Sequence, residues 1–161
     1  MSSITSSYFI TSSSISYFLT NPKPLFYRLP VKPHTTSTEF DVSNLTKLPR
    51  VDIVYSHAND DGVMTDAAVK AGAKGIIHAG TGNGSIHGNT EQALKHAVDQ
   101  GVVVVRSSRT GSGYVTPNTG YRALGLLEAD TLNPQKARVL LQLILTKSKD
   151  PAKVQAMLDT Y

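Results

Sequence analysis

The sequence predicts an α/β fold in which a small parallel sheet of four strands is covered by helices on both faces. Two patterns lead to this prediction. Short apolar runs alternate with segments whose apolar residues recur at helical spacing, an order typical of strand–helix–strand units. In addition, residues 102–105 are four consecutive valines. A continuous β-branched run of this kind favours a strand that is buried on both sides.

The first half of the predicted domain is one strand–helix–strand unit. Strands are predicted at residues 51–55 and 76–79, which are short and rich in β-branched residues. Between them a helix is predicted that Gly72 ends, because its apolar residues share one helical face: Met64, Ala67, Ala68 and Ala71.

The second half continues the alternation. A helix is predicted from Asn89, which stands three residues before Gln92 as in a capping box, to a stop at Gly101. The valine strand follows, and a fourth strand is predicted at residues 123–127.

Two helices close the chain, and each begins with a capping residue followed by proline. Asn133 is the predicted cap of a helix at residues 135–147, and Asp150 is the predicted cap of the last helix. The complete order predicts a doubly wound sheet of the Rossmann-like or flavodoxin-like kind.

Length and composition limit the possible functions. The 161 residues suffice for one core, and the absence of cysteine excludes disulfides and thiolate chemistry. No apolar stretch approaches the roughly 18 residues that a membrane helix needs, so no membrane partner is predicted.

The net charge of +4 lies mostly in residues 1–50, while residues 51–161 hold eleven basic and ten acidic side chains. Without a basic stripe, nucleic-acid binding is not expected.

Three segments are predicted along the chain. Residues 1–25 form a serine-rich leader that we expect to be disordered, since residues 1–20 carry eight Ser and no charge. Residues 26–50 belong to a proline-rich stretch and are predicted to be an extended connector. Residues 51–161 form the α/β domain.

A glycine loop at residues 80–84 is the first candidate binding site. It follows a predicted strand, where open α/β sheets place their binding crevices. Gly80, Gly82 and Gly84 permit positive φ and close approach of another group, and Asn83 is the polar side chain that they present. The loop has neither a dinucleotide nor a Walker pattern, so a tight turn without a ligand fits equally well.

A second polar loop, residues 106–113, follows the third strand. Its Arg106 and Arg109 could bind a carboxylate or phosphate, or hold loops together by pairing with acids.

The five histidines have no metal-binding spacing, so no metal is predicted, and His78 is expected to be a hydrogen-bonded core residue. No hydroxyl has a base fixed by spacing and no GxSxG motif occurs, so no catalytic residue is predicted.

Several motifs, taken in order, resemble the C-terminal domain of bacterial-type L-asparaginases, particularly the type II asparaginase/glutaminases. The similarity covers roughly residues 26–161. Asp150 with its proline and the terminal Tyr161 also match. The other matching stretches are residues 26–30, 34–42, 48–55, 79–84, 104–109 and 132–141.

This resemblance implies hydrolysis of L-asparagine, or of L-glutamine, to the acid and ammonia without a cofactor. It also implies a homo-oligomer, whose sites lie between the N-terminal domain of one subunit and the C-terminal domain of its neighbour. Asn83 is the implied substrate contact. The family's assisting glutamate precedes the Leu-Asn-Pro motif, and Asn118 stands nearest to that position, so this second contact is altered.

The threonine motifs that carry the family's nucleophile, Thr-Gly-Gly-Thr and Thr-Asp-Thr, do not occur in these 161 residues. We therefore expect no activity from this chain alone. Type II members are periplasmic or secreted, but no convincing signal peptide is present, so the compartment is left open.

The residues alone leave two other functions open. One is a stand-alone module that binds an amino acid or a small anion at the loops of residues 80–84 and 106–113. The other is a non-catalytic fragment that assembles with asparaginase subunits.

Overall fold

The computed structural model describes residues 31–161 and, before them, only the backbone pairing of two short antiparallel strands, Ser16–Tyr17 and Leu25–Phe26. The predicted leader and the start of the predicted connector otherwise lie outside the described residues, so these predictions stay untested. Within the connector, Thr35–Ser37 forms a single turn of 3₁₀ helix.

The predicted sheet is present. Four strands lie in chain order and all neighbours are parallel: β1 (Val51–Tyr55), β2 (Gly75–Gly80), β3 (Val103–Ser108) and β4 (Leu127–Glu128). Five helices are described: α1 (Val63–Lys70), α2 (Gly88–Asp99), α3 (Thr119–Ala123), α4 (Pro134–Ile144) and α5 (Pro151–Thr160). No described helix is long and apolar enough to cross a membrane.

Helices cover both faces of the sheet. Alternate residues of each strand point to opposite sides, so every strand contributes side chains to both layers. Ile77 and Val105 pack with residues of α4 and α5 in one apolar cluster. Ile76 and Val104 belong to a second cluster, which contains Leu94 of α2 and residues of α1. Two separate apolar layers, one on each face, therefore form the core.

The predicted fourth strand is present but misplaced, since it covers Leu127–Glu128 and not residues 123–127. Residues 119–123 form the short helix α3, which Asn118 caps by accepting a hydrogen bond from the backbone N–H of Tyr121. Gly125 then turns the chain with φ +80°, and a Cβ there would lie 2.7 Å from Val98. The short strand β4 begins after this turn.

Two other boundaries differ from the predictions. Helix α2 begins at Gly88 after His87, which makes no side-chain cap, so the capping box of Asn89 and Gln92 does not form. Strand β3 runs to Ser108 and thereby includes Arg106, which was assigned to a loop.

The two proline-flanked caps are confirmed. Asn133 accepts a hydrogen bond from the backbone N–H of Lys136 at 2.9 Å, and Asp150 does the same for Lys153 at 2.9 Å. Helix α4 nevertheless ends at Ile144, before the predicted residue 147.

Candidate functional site

The glycine loop forms a closed turn at the carboxyl end of β2. Thr81 and Ser85 pair across it as an antiparallel bridge, with the N–H of Ser85 2.9 Å from the carbonyl oxygen of Thr81. A Cβ at Gly80 would collide with the carbonyl oxygen of Ser85, while Gly82 and Gly84 have φ of +49° and +68°. The glycine pattern is therefore required by the turn itself, whether or not a ligand binds.

Asn83 lies exposed at the tip of this turn, and Thr116 holds its side chain. The backbone N–H of Thr116 donates to Oδ1 at 2.7 Å, and Nδ2 donates to the Thr116 hydroxyl at 2.6 Å. A backbone N–H can only donate, so the amide oxygen must face it, which determines the orientation of the amide. One N–H of Nδ2 is left to donate to another group.

Arg106 supports the loop from inside the molecule. Its side chain is 1% exposed, and it donates to the carbonyl oxygens of Asn83 at 3.2 Å and Thr116 at 3.0 Å. The guanidinium lies 4.5 Å from the ring centroid of Tyr121, whose hydroxyl accepts from the N–H of Ile86. Arg106 thus joins two loop segments through their carbonyl groups, and its guanidinium is enclosed within the molecule.

The charge of Arg106 has a buried partner. Burial lowers the pKa of Arg106, and the nearby Glu128 acts in the opposite direction. Glu128, itself buried, is paired with Arg122 of α3, whose pKa it raises by hydrogen bonding and by its charge. A guanidinium stays protonated in proteins, so Glu128 lies between two positive charges, Arg106 and Arg122.

The other predicted site residues lie around the same end of the sheet. The backbone N–H of Arg109 donates to the carbonyl of Gly80 at 2.9 Å, which joins the two polar loops, and its side chain is exposed. Asn118 is exposed two residues beyond Thr116, but its amide oxygen is occupied as the cap of α3. Asn118 therefore keeps both N–H groups of its amide, whereas Asn83 keeps one and is held at two points by Thr116.

His78 is fully buried in β2, yet neither ring nitrogen has a hydrogen-bond partner among residues 31–161. The prediction of a hydrogen-bonded core histidine was thus right about burial only. Burial lowers the pKa of His78 from 6.5 to about 4; the charge of Asp60 opposes this shift and that of Arg106 adds to it. His57 and His87, by contrast, are exposed at strand ends.

Sequence reasoning missed the residues that hold Asn83 in place. Thr116 and Tyr121 have no motif that distinguishes them, and Glu128 was not considered. Thr116 contacts Asn83 itself and Tyr121 contacts Ile86 just beyond the loop, whereas Glu128 acts on the loop only through Arg106. In the described part of the chain, no three His, Asp or Glu side chains are placed to hold a metal ion. What the site offers is hydrogen bonding and positioning.

One family model and several known proteins match the sequence of this chain. The sequence model of the glutaminase/asparaginase C-terminal domain matches residues 50–158. L-asparaginase 2 of Bacillus subtilis (strain 168) is 56% identical over 128 residues, which are 80% of this chain and 34% of that protein. L-asparaginase 2 of Escherichia coli (strain K12) is 42% identical over 157 residues, or 94% of this chain and 45% of that protein.

A solved structure has the same fold over most of this chain. The probable cytoplasmic L-asparaginase from Campylobacter jejuni superposes with a TM-score of 0.80 at 47% sequence identity, over 91% of this chain and 48% of that one. The chain thus spans less than half the length of these relatives.

Proposed function

Because this chain belongs to the glutaminase/asparaginase family through that family's C-terminal domain, we propose that it provides the substrate-positioning part of an amide-hydrolysing site. The substrate is L-asparagine or L-glutamine. The nucleophile comes from an N-terminal domain of the family, in the same subunit or a neighbouring one of a homo-oligomer.

The observation that carries this proposal is the fixed amide of Asn83. Its oxygen is bound by Thr116, and its remaining N–H projects from an exposed turn. Such a donor can bind the carboxylate or carbonyl oxygen of an amino-acid substrate. Because the side chain is held before substrate arrives, little entropy is lost when the bond forms, which is how positioning groups lower a barrier.

Asn118 is the second proposed contact. Its amide oxygen accepts the helix-capping bond, so its Nδ2 group is the part left for a substrate. An amide cannot accept a proton as a glutamate does, so we propose that Asn118 binds and does not transfer protons.

The experiment uses a chimaera in which residues 50–158 replace the matching part of Bacillus subtilis L-asparaginase 2, the 56% identical relative. Ammonia release from L-asparagine and from L-glutamine is measured. Losing one hydrogen bond to a charged substrate costs about 1.5–3 kcal/mol, so Asn83→Ala should lower kcat/KM by roughly 10- to 100-fold.

Asn89→Ala is the matched control, because Asn89 is another exposed asparagine that follows β2 but lies in helix α2. It should leave kcat/KM unchanged. An active chimaera that tolerates Asn83→Ala would refute the role of Asn83, and an inactive chimaera that is correctly folded would argue against the function itself. Asparagine hydrolysis by residues 1–161 alone would show that this chain holds its own nucleophile.

A binding assay separates the non-enzymatic alternatives. Titration of the isolated chain with aspartate by calorimetry should show no saturable binding if the site needs a second domain. Saturable binding would favour the stand-alone binding module. Co-purification with a full-length family subunit that gains no activity would favour the assembly fragment.

A further inference from the structure

Six buried side-chain atoms in residues 31–161 have no hydrogen-bond partner among the described residues, and they belong to five side chains. Each of these side chains is at most 2% exposed. The atoms are Oδ2 of Asp60, Oγ1 of Thr65, Nδ1 and Nε2 of His78, Nε of Arg106 and Oε2 of Glu128. Most buried polar groups in native proteins are hydrogen-bonded, so this concentration needs a physical explanation.

Strand register places three of these side chains side by side. His78 of β2 is paired with Arg106 of β3, and Arg106 is paired with Glu128 of β4. All three residues lie on the face covered by α1 and α2, because each is two positions from a residue of that apolar cluster. They form a polar row across three strands.

The other two side chains belong to the segment that leads into and begins α1, the helix that covers this face of the sheet. Asp60 is near enough to His78 for its charge to act on the ring. Thr65 lies on the buried side of α1, one turn before Ala68, which belongs to the apolar cluster on this face of the sheet. Thr90 of α2 donates its hydroxyl to the backbone carbonyl of Asp60 at 3.2 Å.

The polar row contains both hydrogen-bond donors and acceptors, but none of these six atoms bonds directly to another. A neutral histidine has one donor and one acceptor, a hydroxyl has both, and a carboxylate oxygen only accepts. Each such group costs roughly 1–3 kcal/mol when it is buried without a partner. A buried water molecule, with about three hydrogen bonds, can join groups that do not reach one another.

We propose that the polar row is an internal hydration site. Ordered water joins His78 to Asp60 and Thr65 at one end, and joins Arg106 to Glu128 at the other. The water fixes the plane of the Arg106 guanidinium, whose other nitrogens hold the carbonyls of Asn83 and Thr116. The hydration site thereby supports the Asn83 loop from below, and it does so whether or not the proposed hydrolysis takes place.

The first test compares two isosteric substitutions by urea unfolding of the whole chain. If water binds the Thr65 hydroxyl, Thr65→Val should lower the folding equilibrium constant about fivefold, as for an ordinary hydrogen bond. If the hydroxyl is dry and unpaired, its removal should leave stability unchanged or raise it. Thr90→Val is the matched control, because that hydroxyl has a protein partner and its loss should be destabilising in either case.

The second test is a crystal structure of the chain at a resolution that shows ordered water. We expect at least one water within hydrogen-bonding distance of a His78 ring nitrogen and of Asp60 or Thr65, and another at Nε of Arg106. A dry row, direct bonds among these side chains, or a neutral Thr65→Val variant would overturn the proposal. None of these outcomes bears on asparagine hydrolysis, so the two proposals fail independently.

Discussion

Arg106 shows how a buried charge can organise a surface loop. Its guanidinium donates to two loop carbonyls, lies against Tyr121 and has Glu128 as a neighbouring countercharge. Charge-assisted bonds of this kind are stronger than neutral ones, and they offset the desolvation of the side chain. The position of Asn83 in its loop therefore depends on a residue that is itself buried.

His78 makes stability depend on pH at the scale of one residue. Its pKa in the folded chain is about 4, compared with 6.5 for an ordinary histidine. Above pH 6.5 it is neutral in both states. Between pH 6.5 and 4 the unfolded chain binds a proton that the folded chain does not, so the free energy of unfolding should fall by roughly 3 kcal/mol as pH drops through this window.

The measurement is urea unfolding at intervals from pH 7.5 to pH 4. Asp60 and Arg106 are the charged groups that act on the ring, and carboxyl groups elsewhere also titrate at the acid end. His78→Leu isolates the contribution of the ring, and its curve should be flatter than that of the wild type. Parallel curves would contradict the assignment of a buried, neutral histidine.

At the scale of elements, capping residues set where helices start. Asn133 and Asp150 each accept a backbone N–H in the first turn, and each precedes a proline whose missing N–H costs nothing there. His87 before α2 makes no such bond. Side-chain caps thus specify the starts of α4 and α5, as Asn118 does for the short helix α3.

Asn133→Ala should lower the free energy of unfolding by about 1 kcal/mol, because the N–H of Lys136 loses its partner. Asn133→Ser keeps an accepting oxygen and should recover most of the loss. Chemical denaturation of both variants measures the difference. Equal losses from the two substitutions would show that the accepting oxygen is not the source of the stability.

Helix α5 also protects the open edge of the sheet. The Gln155 side chain accepts from the backbone N–H of Glu128 at 3.0 Å and donates to its carbonyl at 3.0 Å. An amide that binds both backbone groups takes the place of a neighbouring strand. Exposed edges invite pairing with other chains, so this contact keeps β4 from serving as a template.

At the scale of the whole molecule, the two faces of the sheet have different tasks. The face covered by α4 and α5 carries the larger apolar cluster, with Leu140 fully buried in it. The opposite face carries a smaller cluster and the polar row beneath the Asn83 loop. The face covered by α4 and α5 thus contributes most of the apolar core, and the opposite face holds the polar residues beneath the Asn83 loop.

Leu140→Ala should therefore cost about 2–5 kcal/mol of unfolding free energy, the usual range for a truncated core leucine. The control is Leu45→Ala, because Leu45 is 41% exposed, and that substitution should change stability by less than about 0.5 kcal/mol. Denaturant unfolding measures both. A small effect of Leu140→Ala would mean that this layer of the core is loosely packed.

Local chemistry explains which predictions succeeded. The strands at residues 51–55 and 76–79, the start of the valine strand and the caps at Asn133 and Asp150 depend on neighbours in sequence, so the sequence sufficed for them. The strand predicted at residues 123–127 was misplaced for one local and one tertiary reason: Asn118 caps a short helix before it, and Gly125 turns the chain next to Val98.

By itself, the sequence determined the alternation of strands and helices, the turn chemistry of Gly80, Gly82 and Gly84, and the resemblance to a family. These are encoded in residues close together along the chain, where spacing fixes geometry. Only the tertiary structure decided that Thr116 holds Asn83 and that Arg106 lies between His78 and Glu128. Such contacts depend on strand register and burial, which bring together residues far apart in sequence and leave no local pattern.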